Sequence, residues 1–342
     1  MSEKLIYYYP EGHQAHFAPQ HPEKPERVEH IRRSLIKAGF WDPYQKINSI
    51  NLSTEDLFEI HDPTYLKKLQ KACAAGQWYD QDTYLTPDSY QIALQTAGGA
   101  IAVSRSVWTG AAETGFALCR PPGHHATRAQ AMGFCLINNI AVAAQDLLQT
   151  AGANRVAILD FDLHHGNGTQ DIFWERGDVF YFSTHQWPLY PGTGRLEEQG
   201  AGAGFGKTPN FPLPPGTGDD GFETIFTEII LPLLADYAPE MLLVSIGFDP
   251  HWMDPLGFLQ LTAAGYGLLI RQLKVWAADH CQGRIALILE GGYNLQAIEV
   301  CSQSVVAALL DQEFTDTLGN SPYPPTERWK SVALQSKKLW KL

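Results

Sequence analysis

A segment near the middle of the chain reads Asp160-Phe-Asp162-Leu-His164-His165-Gly-Asn167-Gly-Thr-Gln170 and follows the apolar run Val156-Ala-Ile-Leu159. A β-branched run that ends in carboxylates and imidazoles is the pattern of a buried parallel strand delivering side chains at its C-terminal end, where open α/β sheets place their sites. Side chains two apart on a strand share a face, so alternation predicts Asp160, Asp162 and His164 on one side. Two carboxylates and an imidazole converging without a Lys or Arg would repel as bare charges. A divalent cation resolves that conflict, and the segment is expected to hold a metal.

Four further segments carry chemistry, each just after a predicted strand. Arg120-Pro-Pro-Gly-His124-His125, followed by Gly133-Phe134-Cys135, sets two adjacent imidazoles in a glycine-bounded turn suited to general acid/base work near neutral pH. Ser245-Ile-Gly-Phe-Asp249-Pro-His251 ends a strand in a carboxylate, a third metal ligand. In Leu289-Glu290-Gly-Gly-Tyr293-Asn294 the glycines let the backbone pass close to the site and aim a phenol at developing oxyanion charge. Tyr190-Pro-Gly-Thr-Gly194 offers an aromatic at the head of a rigid turn, suited to walling a pocket.

The elements that must position these residues alternate along the chain. Strands are predicted at Leu5–Tyr9, Phe116–Cys119, Val156–Asp160, Val179–Ser183, Met241–Ile246 and Ile285–Leu289, and helices at Pro25–Ala38, Ala93–Val107, Asn138–Leu148 and Thr262–Ala278. Another helix should start at Asp62-Pro63, with Asp62 as its cap. This alternation implies a mostly parallel sheet with helices on both faces. The Gly/Pro-rich stretch Pro191–Gly221 reads as turns within one domain. After Gln312 the chain becomes polar and Pro-rich, then ends in an amphipathic helix with Trp329, Val332, Leu339 and Trp340 on roughly one side. The expected division is a catalytic domain over 1–312 and a C-terminal extension over 313–342 packing on it.

With 342 residues and 44% hydrophobic content the chain can bury a large core, and a formal net charge of −12 argues against wrapping nucleic acid. Five scattered cysteines without a CxxC pair read as reduced thiols. No signal-peptide core and no apolar stretch long enough for a bilayer is visible, so the expectation is a soluble, cytoplasmic protein without a membrane partner.

Taken in order, these motifs resemble the zinc-dependent histone deacetylase family of the arginase/deacetylase superfamily. The matching segments are Arg120–His125, Gly133–Cys135, Asp160–Gln170, Tyr190–Gly194, Gly247–Gly257 and Glu290–Asn294, and His21-Pro-Glu-Lys-Pro-Glu-Arg27 also matches. Asn167, where many nuclear members have Asp, is similar to the class II branch and its bacterial amidohydrolase relatives. The resemblance implies a single α/β domain around an eight-stranded parallel sheet, and one zinc per chain held by Asp162, His164 and Asp249, a ligand set that also permits Fe(II). By the same resemblance Asp160 would hold His124 in its tautomer and Asn167 would orient His125. His124 and His125 would share the acid/base work and Tyr293 would polarise the scissile carbonyl. Phe134 and Tyr190 would flank a narrow channel, the Gly133 carbonyl would meet an amide of the substrate, and a structural potassium ion would lie near the Asp160–His164 backbone and Ser183.

Ordinary structural explanations stand beside these roles. His13, His16, His21, His185 and His251 read as rim or structural residues, Cys135 as a small apolar filler, and Asp82 as either a rim acid or a solvated loop residue. The implied function is hydrolysis of an N-acetyl or other N-acyl group from a lysine side chain or a small N-acyl amine. An acetylpolyamine amidohydrolase is the alternative, weakened because such relatives tend to carry Glu at the position of Leu256. A binuclear manganese ureohydrolase would need additional bridging carboxylates, and a non-catalytic acetyl-lysine binder would not need Tyr293. Homo-oligomerisation stays open.

Overall fold

Runs that are apolar on both faces must be covered on both sides, and the strands of this chain form one parallel sheet between two layers of helices. The computed structural model describes residues 2–342. Its strands are β1 (Glu3–Tyr8), β2 (Gln45–Ile47), β3 (Ala112–Ala117), β4 (Val156–Asp160), β5 (Val179–Gln186), β6 (Asn210–Leu213), β7 (Met241–Ile246) and β8 (Ile285–Leu289). They lie in the order β2-β1-β3-β8-β7-β4-β5-β6, and every neighbouring pair is parallel. The longer helices are α1 (Glu26–Lys37), α2 (Pro63–Ala74), α3 (Ser89–Trp108) and α4 (Asn139–Gln149) in the first half. They are followed by α5 (Asn167–Phe173), α6 (Asp219–Ile225), α7 (Leu231–Tyr237), α8 (Ala263–His280), α9 (Leu295–Leu309) and α10 (Trp329–Trp340).

Strand alternation divides the core into two layers. Ala157 and Leu159 of β4, with Leu242 and Val244 of β7, face the layer that holds Val28 of α1, Leu269 of α8 and Val305 of α9. Val156 and Ile158, with Met241 and Leu243, face the opposite layer, with Leu66 of α2, Ala97 of α3 and Ile140 of α4. The small residues of α3 allow a close approach to the sheet, since a Cβ at Gly99 would collide with the Tyr8 ring. Helix starts are capped by side chains: Asp62 accepts from the Thr64 amide (2.6 Å), Asn138 from Ala141 (3.1 Å) and Thr262 from Gly265 (3.0 Å).

Register decides what the sheet presents at its C-terminal edge. Asp160 of β4 pairs with Ser245 of β7, Ser245 pairs with Ile288 of β8, and Ile288 pairs with Ala117 of β3. Four central strands therefore end level, and the segments after Ala117, Asp160, Ile246 and Leu289 emerge side by side. These are the segments that carry the sequence motifs.

Several expected boundaries shift. The strand expected at Phe116–Cys119 begins earlier, at Ala112, because the polar Glu113 and Thr114 hide its start. Leu5–Tyr9 is observed as Glu3–Tyr8, and Val179–Ser183 extends to Gln186. The Pro191–Gly221 stretch is not all turn: it contains β6, an edge strand with Pro212 inside and prolines on either side, which edge pairing tolerates. In the final helix Trp329, Ala333 and Ser336 are buried against the domain, with Val332, Leu339 and Trp340 half-buried beside them. That helix packs on α6 and β6.

Phe161 is buried just past β4, its ring 6.0 Å from that of Phe182 and 6.1 Å from that of Phe226. Phe161→Ala should cost about 3–5 kcal/mol by leaving a cavity in this aromatic cluster. Chemical denaturation should report the loss; a change below about 1 kcal/mol would mean that the cluster repacks freely.

Candidate active site

β4 stops at Asp160, so Asp162 and His164 lie beyond the strand rather than within it, as alternation had suggested. The alternation nevertheless persists for a few residues, because the Phe161 amide still donates to the Ser245 carbonyl of β7 (2.9 Å). Phe161 and Leu163 enter the core while Asp162 and His164 turn toward the site. From β7 comes Asp249, whose Oδ1 accepts from the Leu163 amide (3.0 Å), and from β8 comes Gly291, whose amide donates to Asp162 Oδ2 (2.8 Å). Ligand atoms of Asp162, His164 and Asp249 all lie within 4.8 Å of one another. His164 Nδ1 stands 3.3 Å from Asp162 Oδ1 and 3.3 Å from Asp249 Oδ2. Asp249 Oδ2 is buried without a hydrogen-bond partner among the described residues. A Cβ at Gly247 or Gly291 would run into the Asp162 and Asp249 carboxylates, so glycine backbone forms the cradle around them.

The electrostatics fit a cation at this point. Burial would lower the His164 imidazole, yet hydrogen bonding to Asp162 and the adjacent Asp249 and Asp162 charges hold it up at about 9. Burial would likewise lower His124, but Asp162 and Asp160 hold it up at about 10. The pocket draws positive charge inward, and two carboxylates with one imidazole are a donor set that suits zinc and permits Fe(II).

The adjacent histidines are polarised in opposite directions. His124 Nδ1 donates to Asp160 Oδ2 (3.0 Å), which also accepts from the Tyr181 hydroxyl (3.1 Å). His125 Nδ1 donates to Asn167 Oδ1 (2.8 Å). Burial, with the charges of His124 and His164 beside it, holds His125 well below the usual imidazole range. The rings lie 4.1 Å apart, so the site sets a proton-rich imidazole beside a proton-poor one.

Tyr293 follows Gly292, whose φ of 110° is open to glycine and strained for other residues. Asp254 Oδ2 accepts from the amides of Tyr293 (2.6 Å) and Asn294 (3.1 Å), while its Oδ1 accepts from the Leu256 amide (3.1 Å). Arg27 clamps the same loop from beneath, with Nε donating to the Gly292 carbonyl and Nη2 to the Glu290 carbonyl, both at 2.5 Å. Burial raises the Tyr293 phenol well above its ordinary range, which keeps its proton available for donation. Phe134 meets the Tyr293 ring edge-on at 5.6 Å, and Tyr190 meets His125 edge-on at 5.2 Å. Gly133 joins these walls: a Cβ there would strike the His125 ring and crowd Tyr190. Leu256 is half-buried beside the Tyr293 loop.

Four residues central to this arrangement had no role assigned from sequence. Glu290 Oε2 accepts from the amides of Gly123 (2.7 Å) and His124 (3.1 Å), and Ser245 Oγ donates to its Oε1 (3.0 Å). It could have been found by the rule that found Asp160, since it too is a carboxylate ending an apolar strand. The others are Asp254, Glu23 and Arg27; Glu23 bridges Arg27 (3.2 Å) and Arg120 (2.8 Å), all three buried. His124, Cys135 and Glu290 also approach within metal-binding range. There Glu290 is satisfied by amides, His124 by Asp160, and burial keeps the Cys135 thiol protonated, well above its ordinary value. His13, His16, His21, His185 and His251 are all buried, and His21 meets the Phe134 ring edge-on at 4.7 Å. Asp82 is half-buried, its carboxyl raised by burial and by the neighbouring Asp80.

Burial pushes the Glu23 carboxyl up, but Arg120 and then Arg27 outweigh it and hold it down at about 2, below the ordinary 4.5. Its stabilisation is therefore fully present above about 4.5 and is lost as the pH falls toward 2. Glu23→Gln should cost about 3–5 kcal/mol at neutral pH by leaving two buried guanidinium groups without their partner. The gap from wild type in urea denaturation should narrow as the pH drops below 4.5, and a gap constant with pH would refute the ion-pair assignment.

Comparison with known proteins meets this geometry from a separate direction. Residues 21–309 match the histone deacetylase domain. A probable deacetylase of Archaeoglobus fulgidus is 39% identical over 316 residues, covering 92% of this chain and 88% of its own length. The histone deacetylase-like amidohydrolase of Pseudomonas aeruginosa is 37% identical over 294 residues, covering 85% and 77%. The solved HDA15 HD domain superposes with a TM-score of 0.89 at 34% identity, covering 99% of this chain and 94% of that one. With the eight-stranded parallel sheet in common, the chain belongs to the histone deacetylase domain family.

Proposed function

We propose that this protein is a zinc-dependent deacylase that hydrolyses the amide of an acetylated lysine side chain or a related small N-acetyl amine. The observation that carries the reading is the convergence of Asp162, His164 and Asp249 beside a carboxylate-paired His124, a neutral His125 and the Tyr293 phenol. When bound by those three ligands, zinc supplies Lewis acidity toward a carbonyl and makes water more acidic. The protein's own groups do the rest. His125, with Nδ1 committed to Asn167, has Nε2 open to take a proton from the attacking water. His124, charged against Asp160, returns a proton to the leaving amine. Tyr293 donates to the carbonyl oxygen as negative charge builds there. Phe134 and Tyr190 hold the apolar stem, and the Gly133 carbonyl is available to accept from a substrate amide.

The names of the archaeal and pseudomonad relatives support amide deacylation in general and leave the carrier open. Leu256 favours acetyl-lysine over acetylpolyamines, because an apolar mouth leaves a second ammonium unpaired. Asp80 and Asp82, close enough to raise the Tyr190 phenol, are the features that favour the polyamine alternative. Fe(II) in place of zinc, and potassium near the Asp160–His164 backbone and Ser183, belong to the same proposal. So does the division into a catalytic domain, 1–312, and an extension, 313–342. A cytoplasmic location is proposed on the five cysteines, all free and buried. Among the described residues no helix is long and apolar enough to cross a membrane.

Metal analysis should find one tightly bound divalent ion, absent from Asp162→Ala and Asp249→Ala; full occupancy in either variant would remove the site as assigned. Tyr293→Phe should retain metal and fold yet lose about a hundred-fold or more in kcat, the typical cost of an oxyanion donor. Near-wild-type turnover would reduce the phenol to a packing role. Acetyl-lysine peptides should exceed acetylspermidine and acetylputrescine in kcat/KM, with Leu256→Glu moving the ratio toward the polyamines. A wild-type preference for polyamines would overturn the substrate choice and leave the chemistry standing.

A further inference from the structure

Tyr190 walls the channel, yet little within its own turn holds it there. Leu189 packs against the core, and the Gly192 amide donates to the Leu189 carbonyl (3.0 Å). Pro188 and Pro191 have no amide hydrogen to give. Among the described residues, every hydrogen bond that ties 188–194 to the rest of the protein falls on Thr193 or Gly194. Three tethers meet at that point. The Gly194 carbonyl accepts from His185 Nε2 (2.9 Å), the Gly194 amide donates to Glu198 Oε2 (2.9 Å), and the Thr193 hydroxyl stands 2.8 Å from His165 Nδ1. The turn is pressed onto both imidazoles, since a Cβ at Gly194, whose φ is 88°, would strike His185 and His165.

Two of the three tethers run back to one carboxylate. Glu198 Oε2 also accepts from Gln170 Nε2 (2.7 Å). An ionised carboxylate only accepts, so Gln170 of α5 turns its Nε2 toward Glu198 and its Oε1 toward His165, whose Nε2 donates to it (3.1 Å). Asn210 of β6 reinforces that orientation, with Nδ2 donating to Gln170 Oε1 (2.7 Å) and to the Glu198 carbonyl (3.0 Å). His165, Gln170 and Asn210 are buried and Glu198 is half-buried, so water is a poor substitute for any partner lost here. Hydrogen bonds thus run from Glu198 through Gln170 and His165 to Thr193. Because His165 follows the ligand His164, the same chain joins the channel wall to the metal-binding segment.

We propose that Glu198 is a positioning residue for the substrate channel. Through Gly194 directly, and through Gln170 and His165, it sets where the Tyr190 ring stands against His125 (5.2 Å) and His164 (6.1 Å), and so how tightly the acylated stem is gripped. The inference rests on the deacylase reading and adds to it a residue that acts only through others. Asp160 and Asn167 orient His124 and His125 without help from these tethers, so the effect of Glu198 falls on substrate binding and not on the chemical step.

The test is steady-state kinetics of the zinc-loaded full chain on an acetyl-lysine peptide. Glu198→Ala should raise KM about tenfold, the scale of a loosened apolar contact, with kcat within about twofold of wild type and zinc content unchanged. Both bonds fall on one oxygen, so Glu198→Gln, which keeps an uncharged acceptor there, should bring KM back to within about twofold of wild type. Thr193→Val, at the exposed far end of the chain of bonds, should raise KM about threefold and serves if Glu198→Ala fails to fold. Tyr190→Ala should itself raise KM, and adding Glu198→Ala to it should change KM no further, since the group being positioned is gone. Hydrogen exchange reads the tether without turnover: segment 189–196 should exchange about tenfold faster in Glu198→Ala and at the wild-type rate in Glu198→Gln, with β4 and β5 still protected. That exchange pattern in a protein that hydrolyses no N-acetyl compound would sink the deacylase reading and keep Glu198 as the anchor of the turn. An unchanged KM in Glu198→Ala, a fall in kcat or loss of zinc, additive effects in the double variant, or Glu198→Gln as impaired as Glu198→Ala would each overturn the proposal.

Discussion

Asp160, Asp162, Asp249, Asp254 and Glu290 are all buried at the C-terminal ends of three adjacent strands or just beyond them, and an unpaired buried carboxylate is among the costliest groups a fold can hold. Much of the local structure follows from meeting that cost. Asp160 is met by His124 and Tyr181, Glu290 by two amides and Ser245, and Asp254 by three amides. Asp162 has the amides of His164 and Gly291, and Asp249 has the amide of Leu163 on one oxygen. What remains unmet is concentrated at one point, between Asp162, Asp249 and His164. That point is where the proposed divalent cation would sit, since the neighbouring carboxylates are already satisfied by the protein.

This accounting also explains why backbone crowds the site. Amides from Gly123, Leu163, Gly291 and Tyr293 must all point inward, which draws four loops into contact and leaves no space for Cβ atoms at Gly247 or Gly291. Loops so packed need an anchor beneath them. Glu23 supplies it by holding Arg27, which fixes the Tyr293 loop, and Arg120, which heads the His124–His125 turn and binds the carbonyls of His13 and His16 (2.6 Å each). The irregular segment before α1 is thus part of the site's foundation. Its histidines are buried because they carry that foundation: His16 Nδ1 is 2.7 Å from Ser89 Oγ, and Tyr9 OH is 3.1 Å from His13 Nε2.

The central strands and the groups at their ends were legible in the sequence because both obey short-range rules: apolar runs of strand length, each ending in a charged or imidazole side chain. β2 and β6 were not. β2 is a short exposed edge strand, and prolines disguise β6 as a turn. α9 was missed although Gln296, Glu299 and Gln303 fall at helical spacing along its outer side, a weak signal among small and apolar neighbours. The roles of Glu23, Arg27 and Asp254 depend on partners far away in sequence, as with Arg27 and Gly292, separated by 265 positions. No local pattern encodes such a pairing. Glu290 was within reach of the local rule, and treating its segment only as a carrier for Tyr293 hid it.

The histidine pair shows how much chemistry one second partner sets. Both imidazoles are buried, lie in one turn and face the same carboxylates, so burial alone would push both toward the neutral form. Asp162 and Asp160 give His124 counter-charges that stabilise the imidazolium, while Asn167 offers His125 an oxygen without a charge. A charged His124 then adds its own repulsion to the burial that keeps His125 neutral. A charged and a neutral imidazole are thereby held 4.1 Å apart, by the carboxylates of Asp162 and Asp160 against His124 and the uncharged amide of Asn167 behind His125. The same two side chains with identical partners would compete for one proton instead of dividing the work.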